Sequence, residues 1–160
     1  MEQTYKTTRG KHSSLKLAYL AGIIDGEGSI CITKFLDKRK KSVRWQYIGC
    51  VAIGNTDKRL IEWVIKSFSP NKTLTGYKYR NTGKSYHWEL RDNKAMELLK
   101  AVYPFLKLKK EQAKIMIDFQ KKKISDNRRG IKLKEKDYVW REKYRLEVSK
   151  LNHQNSYANK

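Results

Sequence analysis

One pattern constrains this chain more than any other: a stretch rich in β-forming residues followed by a segment of helical periodicity, occurring twice in succession. Ser29 to Asp37 alternates as a strand, a charged turn follows, and Val43 to Ile53 reads as its partner. Asn55-Thr56-Asp57 then supplies a cap for a helix carrying Leu60, Ile61, Val64, Ile65 and Phe68 at helical spacing. The order returns with Thr73 to Arg80 and Lys84 to Arg91, joined by the turn signal Asn81-Thr82-Gly83, and a helix opening at Asp92 or Asn93 and stopped by Pro104. Two more helices follow, about Leu108 to Lys123 and Lys136 to Leu151, and one precedes the first hairpin, from Ser13 or Ser14 to about Asp25. This order predicts an α+β domain over residues 13–152, a four-stranded antiparallel sheet packed on helices. Residues 1–12 lack periodicity and are expected to be a flexible arm, and 153–160 a tail.

Composition adds the partner class. Lys and Arg number 37 against 16 Asp and Glu, a formal charge of +21. That excess favours a polyanionic partner, and its interleaving with Tyr and Trp favours nucleic acid over a membrane surface. The longest apolar run, about ten residues from Leu15 to Ile24, falls short of the ~20 needed to span a bilayer. The N-terminus has no apolar signal stretch, and Cys31 and Cys50 are too few for a disulfide scaffold or a cysteine zinc site. A soluble intracellular protein is expected.

The segment Leu20-Ala21-Gly22-Ile23-Ile24-Asp25-Gly26-Glu27-Gly28-Ser29-Ile30 is the informative one. Ala18, Ala21, Gly22 and Asp25 form a stripe of small residues on one helical face, fit either for a second copy of the same helix or for the chain's own sheet. Two acids end the helix, where the partial negative charge of the dipole disfavours carboxylates. A bound divalent cation would explain them, and Gly26 and Gly28 leave room for a phosphate beside Glu27.

This segment resembles the LAGLIDADG motif of the homing endonucleases at Leu20, Ala21, Gly22, Ile24, Asp25 and Gly26, with Glu27 at the second acidic position. The resemblance runs from about Leu15 to Leu151. It includes Pro104-Phe105-Leu106-Lys107-Leu108-Lys109 with Gln112-Ala113, similar to that family's second recurrent segment. One motif is present, as in the shorter members that pair as homodimers. The resemblance implies the helix–hairpin–helix–hairpin–helix homing-endonuclease fold, its sheet forming a DNA-binding saddle, with C-terminal helices added. It implies a dimer interface of Ala18, Leu20, Ala21, Gly22, Ile24 and Asp25, and Mg²⁺ held by Glu27 and the Gly26 carbonyl, with Mn²⁺ or Ca²⁺ able to substitute. Lys109 stands where the family often has a basic active-site residue, either stabilising charge at the phosphate or simply contacting phosphate or solvent. Some relatives carry a polar Gln at the end of the second strand; here Gly54 or Asn55 takes that place, and Asn55 also reads as a helix cap.

The family binds double-stranded DNA with both hairpins. Strand parity then selects Thr33, Lys38, Arg39 and Lys40 from the first hairpin and Lys78, Arg80, His87 and Arg91 from the second, with Trp45 and Tyr47 joining if the second strand's face permits. Lys121 (with its neighbours Lys122 and Lys123), Arg128, Arg129, Lys132 and Lys134 are expected to contact phosphates, which position rather than specify. The implied function is an intron-encoded, Mg²⁺-dependent endonuclease cutting a long pseudo-palindromic site as a homodimer. An intron-RNA maturase and a non-catalytic DNA-binding regulator are the rival readings.

Overall fold

A computed structural model describes residues 4–7, 10–38, 43–69, 75–79, 83–126 and 133–157. The first strands, β1 (Thr4–Thr7) and β2 (Gly10–Ser13), pair antiparallel where an irregular arm was expected. Strands this short lack enough alternation to be read from sequence. What anchors the second is His12, buried with its ring 4.9 Å from that of Phe68.

Ser13 caps helix α1 (Ser14–Glu27), its hydroxyl accepting from the Lys16 amide. The helix passes Gly26 and ends at Gly28, whose N–H donates to the carbonyls of Ile23 and Ile24. A Cβ at Gly28 would lie 2.7 Å from the Ile24 Cα, so the helix turns into a strand here only with glycine. Strands β3 (Gly28–Asp37) and β4 (Arg44–Asn55) form the long hairpin. Helix α2 (Lys58–Phe68) starts at Asp57, whose carboxylate accepts from the Arg59 amide. The second hairpin is β5 (Thr75–Tyr79) and β6 (Gly83–Arg91). Helices α3 (Asp92–Val102), α4 (Lys110–Ser125) and α5 (Glu135–Tyr157) complete the chain. The last of these runs through residues 153–157, which were expected to be tail.

The four long strands are ordered β3-β4-β6-β5, all antiparallel. Period-two alternation divides them into two faces. Ile30, Ile32, Val51, Ile53, Trp88 and Leu90 are buried on one face against the helices. The larger core packs that face on α1, α2 and α3, with Leu17, Leu20, Ile24, Ile61, Val64 and Leu99 all buried. A second cluster of Ile32, Tyr47, Phe119 and Val148 seats α4 and α5 under the β3–β4 hairpin. Asp92, at φ 52°, makes the corner from β6 into α3, a left-handed position that Asp tolerates. Its carboxylate is 2.6 Å from the Lys123 ammonium, which also donates to the Tyr47 carbonyl at 2.8 Å. Among the described residues, the helices that pack on the sheet through this core share one face, and the other face of the antiparallel sheet carries no helical layer.

Candidate active site and nucleic-acid interface

The C-terminal end of α1 separates its two acids by role. Asp25 is half-buried, and its carboxylate accepts from the backbone N–H of Lys107 at 2.8 Å and of Lys109 at 2.9 Å. It is therefore a clamp, fastening the turn that leads into α4. The clamp brings in the Lys109 side chain, whose ammonium donates to the carbonyls of Ile24, at 3.0 Å, and Asp25. A cation on the last carbonyls is the favourable partner for the negative end of a helix dipole. Burial pushes the Lys109 ammonium below the usual lysine range, while the charges of Asp25 and Glu27 oppose that fall. Glu27, by contrast, is exposed, and a Cβ added at Gly26 would meet nothing within 4 Å among the described residues. The result is an exposed carboxylate whose charge acts on a partly desolvated ammonium.

The bare sheet face begins at this corner. Register sets Ser29, Cys31, Thr33, Phe35 and Asp37 opposite Ala52, Cys50, Ile48, Gln46 and Arg44. It continues through Cys50, Ala52 and Gly54 to Arg91, Glu89 and His87. Thr33 is exposed and its hydroxyl donates to the Ile48 carbonyl. His87 lies 3.1 Å from the Ser85 hydroxyl and fills the space over Gly54, where a Cβ would meet the imidazole at 2.9 Å. Arg91 is exposed and pairs with Glu89.

Residues 20–125 match the family model described as LAGLIDADG endonuclease. This chain belongs to that family. Solved LAGLIDADG structures agree with the fold. The homing endonuclease I-CvuI, in complex with the I-CreI target, superposes with a TM-score of 0.66 at 21% identity, over 86% of this chain and 82% of that one. The archaeal intron-encoded homing endonuclease I-Vdi141I, complexed with DNA, gives 0.63 at 16% identity over 86% and 84%. The LAGLIDADG homing endonuclease I-GzeII, in complex with its DNA target, gives 0.62 at 18% identity, over 81% of this chain but 43% of that one. No curated protein sequence matches. The alternating α+β architecture and its antiparallel sheet are thus those of the LAGLIDADG saddle.

Several sequence expectations change against this frame. Within the LAGLIDADG helix, Leu20, Ala21 and Ile24 are fully buried in the chain's own core. They cannot also meet a second copy. The exposed side of α1 is instead Leu15, Ala18, Tyr19, Gly22 and Gly26, with Leu15 73% and Tyr19 57% exposed. A Cβ added at Gly22 would meet nothing within 4 Å among the described residues outside its own helix backbone. Asp25 serves the intrachain clamp. Of the stripe and motif residues assigned to an interface, Ala18 and Gly22 remain on the outside.

The residues expected to face DNA divide in the same way. Tyr47 is 1% exposed and donates its hydroxyl to Glu142 at 2.7 Å, so it belongs to the helical side. Trp45 shares that parity; it is exposed near the hairpin's end, with the Lys34 ammonium 4.9 Å from its ring centroid. Arg44 and Gln46 hold the bare-face positions at this end of β4; the sequence left the face of this strand open by one residue and named neither. Lys78 is the register partner of Lys84 in the β5–β6 hairpin. Lys38 is exposed at the end of β3. Arg39, Lys40, Arg80, Arg128, Arg129 and Lys132 lie outside the described residues.

Lys121 and Lys134 belong to the helical layer rather than the sheet face. Lys121 is 3.7 Å from Asp118, and the Lys134 amide donates to Asp137. Their neighbours are structural: Lys122 lies over the Trp140 ring and Lys123 makes the corner contacts described above. Asn55 accepts from the Asp57 amide at 2.7 Å and sits opposite Tyr86, as a turn residue before α2; Gly54 occupies the bare face.

Proposed function

We propose that this chain is a site-specific endonuclease that cuts both strands of double-stranded DNA as a homodimer, encoded within an intron. The observation that carries this reading is the exposed Glu27 carboxylate beside the Lys109 ammonium, at the end of a helix whose outer side holds small residues. Two such helices packed through Ala18, Gly22 and Gly26 would bring two Glu27 carboxylates together, one for each strand. The 43% coverage of I-GzeII is consistent with a chain that supplies one half of a longer enzyme's architecture.

A carboxylate and the Gly26 carbonyl are hard oxygen donors and suit Mg²⁺, with Mn²⁺ or Ca²⁺ as substitutes. Among the described residues no group of three or more His, Cys, Asp or Glu is assembled within one chain. A phosphate oxygen, water and the second copy's carboxylate would complete the set. Held by Glu27 and the Gly26 carbonyl, a divalent ion would supply water activation and charge stabilisation at the departing 3′ oxygen. Glu27 fixes the site relative to the sheet and Asp25 keeps the Lys107–Lys109 turn in place. Lys109 offers positive charge close to the phosphate without a full hydration shell to displace. Across the bare face, Arg44, Gln46, His87 and Arg91 offer the donors and acceptors that read base edges in a major groove, with Thr33 beside them.

The test uses a duplex built from the joined flanks of the gene's own intron. Wild-type protein with Mg²⁺ should cut it, and Glu27→Gln should bind it with similar affinity while cutting at least about a hundredfold more slowly. Cutting by Glu27→Gln at the wild-type rate would contradict the assignment. Binding to the intron transcript alone, with no duplex cut, would favour the maturase.

A further inference from the structure

Cys31 and Cys50 are directly opposite each other on β3 and β4, on the bare face of the sheet. Their sulfurs are 2.9 Å apart and both thiols are free. A disulfide needs about 2.05 Å, so closure requires less than about 1 Å of approach and no exchange of strand partners. The two are unequal in access: Cys31 is half-buried and Cys50 only 4% exposed. We propose that Cys31 and Cys50 form a thiol–disulfide exchange site, closing to a cross-strand bridge at the expense of a small-molecule disulfide of the glutathione class.

The inference goes beyond the nuclease reading and does not depend on it. Cys31, the reachable sulfur, is the attacking group, and Cys50 is the resolving one. The hydrogen bond between them favours this division, since it lowers the Cys31 thiol from its ordinary range and, with burial, raises Cys50. Glu89, on the same face, raises both thiols, and Arg91, opposite Cys50, lowers the Cys50 thiol. In the first step the Cys31 thiolate attacks one sulfur of the reagent, whose S–S bond breaks; one half leaves with the electron pair and takes a proton. In the second, Cys50 attacks the Cys31 sulfur and releases the other half as a thiol. The two protein thiols lose two electrons and two protons, and the reagent disulfide becomes two thiols. Directly opposed strand residues hold their Cβ atoms at about 4.5–5.5 Å, at or beyond the upper end of disulfide spacing. Such a bridge is readily reduced, which suits a reversible site better than a permanent staple.

The experiment equilibrates the reduced full-length protein, without oxygen, in buffers of stepped reduced-to-oxidised glutathione ratio. After acid quenching and alkylation under denaturing conditions, intact mass is read. The expected product is a single chain lacking two hydrogens and carrying no alkyl group, restored to two alkylated thiols by dithiothreitol. Cys50→Ser should instead stop at a glutathione adduct on Cys31, and Cys31→Ser should leave Cys50 alkylated. Two alkylated thiols at every ratio, a wild-type adduct that never closes, or a bridge only between two chains would overturn the proposal.

Discussion

Asp25 and Glu27 are two residues apart in the chain and serve opposite ends: one is spent inside the molecule, the other is presented to solvent. Their consequences under mutation should separate accordingly. Asp25→Asn loses charge on two backbone hydrogen bonds and should cost about 1–2 kcal/mol of stability, read by urea unfolding. Glu27→Gln should leave the same unfolding curve within about 0.5 kcal/mol of wild type. A third acid sets the acid limit. Glu142 accepts from Arg145 at 2.6 Å and Tyr47 at 2.7 Å, with the Lys34 ammonium at 3.2 Å, and these partners hold its carboxyl down to about 2. A depressed carboxylate contributes its full stability above its unfolded value, near 4.3, and loses it as pH falls toward the folded value. Thermal unfolding followed from pH 5 to pH 2 should therefore fall more steeply in wild type than in Glu142→Gln, by about 1 kcal/mol after allowance for solvent screening. The pair Asp25–Glu27 was legible from sequence as a chemical oddity. The split between them was not, because the Lys107 and Lys109 amides that claim Asp25 are more than eighty residues away.

At the scale of elements, α1 contains a natural contrast. Ala21 is sealed in the core and Gly22, its neighbour, faces open space. Ala21→Leu should overfill the chain's own packing and cost about 1–3 kcal/mol. Gly22→Leu should leave the chain at least as stable, since leaving glycine inside a helix gains about 0.5–1 kcal/mol, yet should turn a dimer into a monomer by sedimentation. A serine cap and the glycines after Asp25 located this element to within two residues, and its small residues drew notice. Spacing alone cannot tell which side of a helix meets the sheet, because Ala and Gly fit a core and a helix–helix contact equally well. The face of β4 stayed open for a related reason. In β4 the alternation Arg44, Gln46 against Trp45, Tyr47 is polar against aromatic, and an aromatic on a basic hairpin suits DNA as well as a core. Burial of Tyr47 under α5 through Glu142 decides it, and that contact spans 95 positions.

For the whole molecule, the decisive property is a sheet whose described helices pack on one side, together with a chain charge of +21. Composition announced the polyanion, and the order of elements announced the sheet; neither told how many chains act together. If the bare face lies along a duplex, log K should fall linearly with log salt, by about 0.9 for each phosphate neutralised. Titration by sedimentation should find two chains on each duplex. The most direct measurement of the central claim is to incubate the protein and Mg²⁺ with a randomised duplex library and sequence the ends produced. A recurrent, long and roughly palindromic site, cut on both strands by wild type and left intact by Glu27→Gln, is expected. Ends scattered without a common sequence, or the same ends made by the variant, would contradict it.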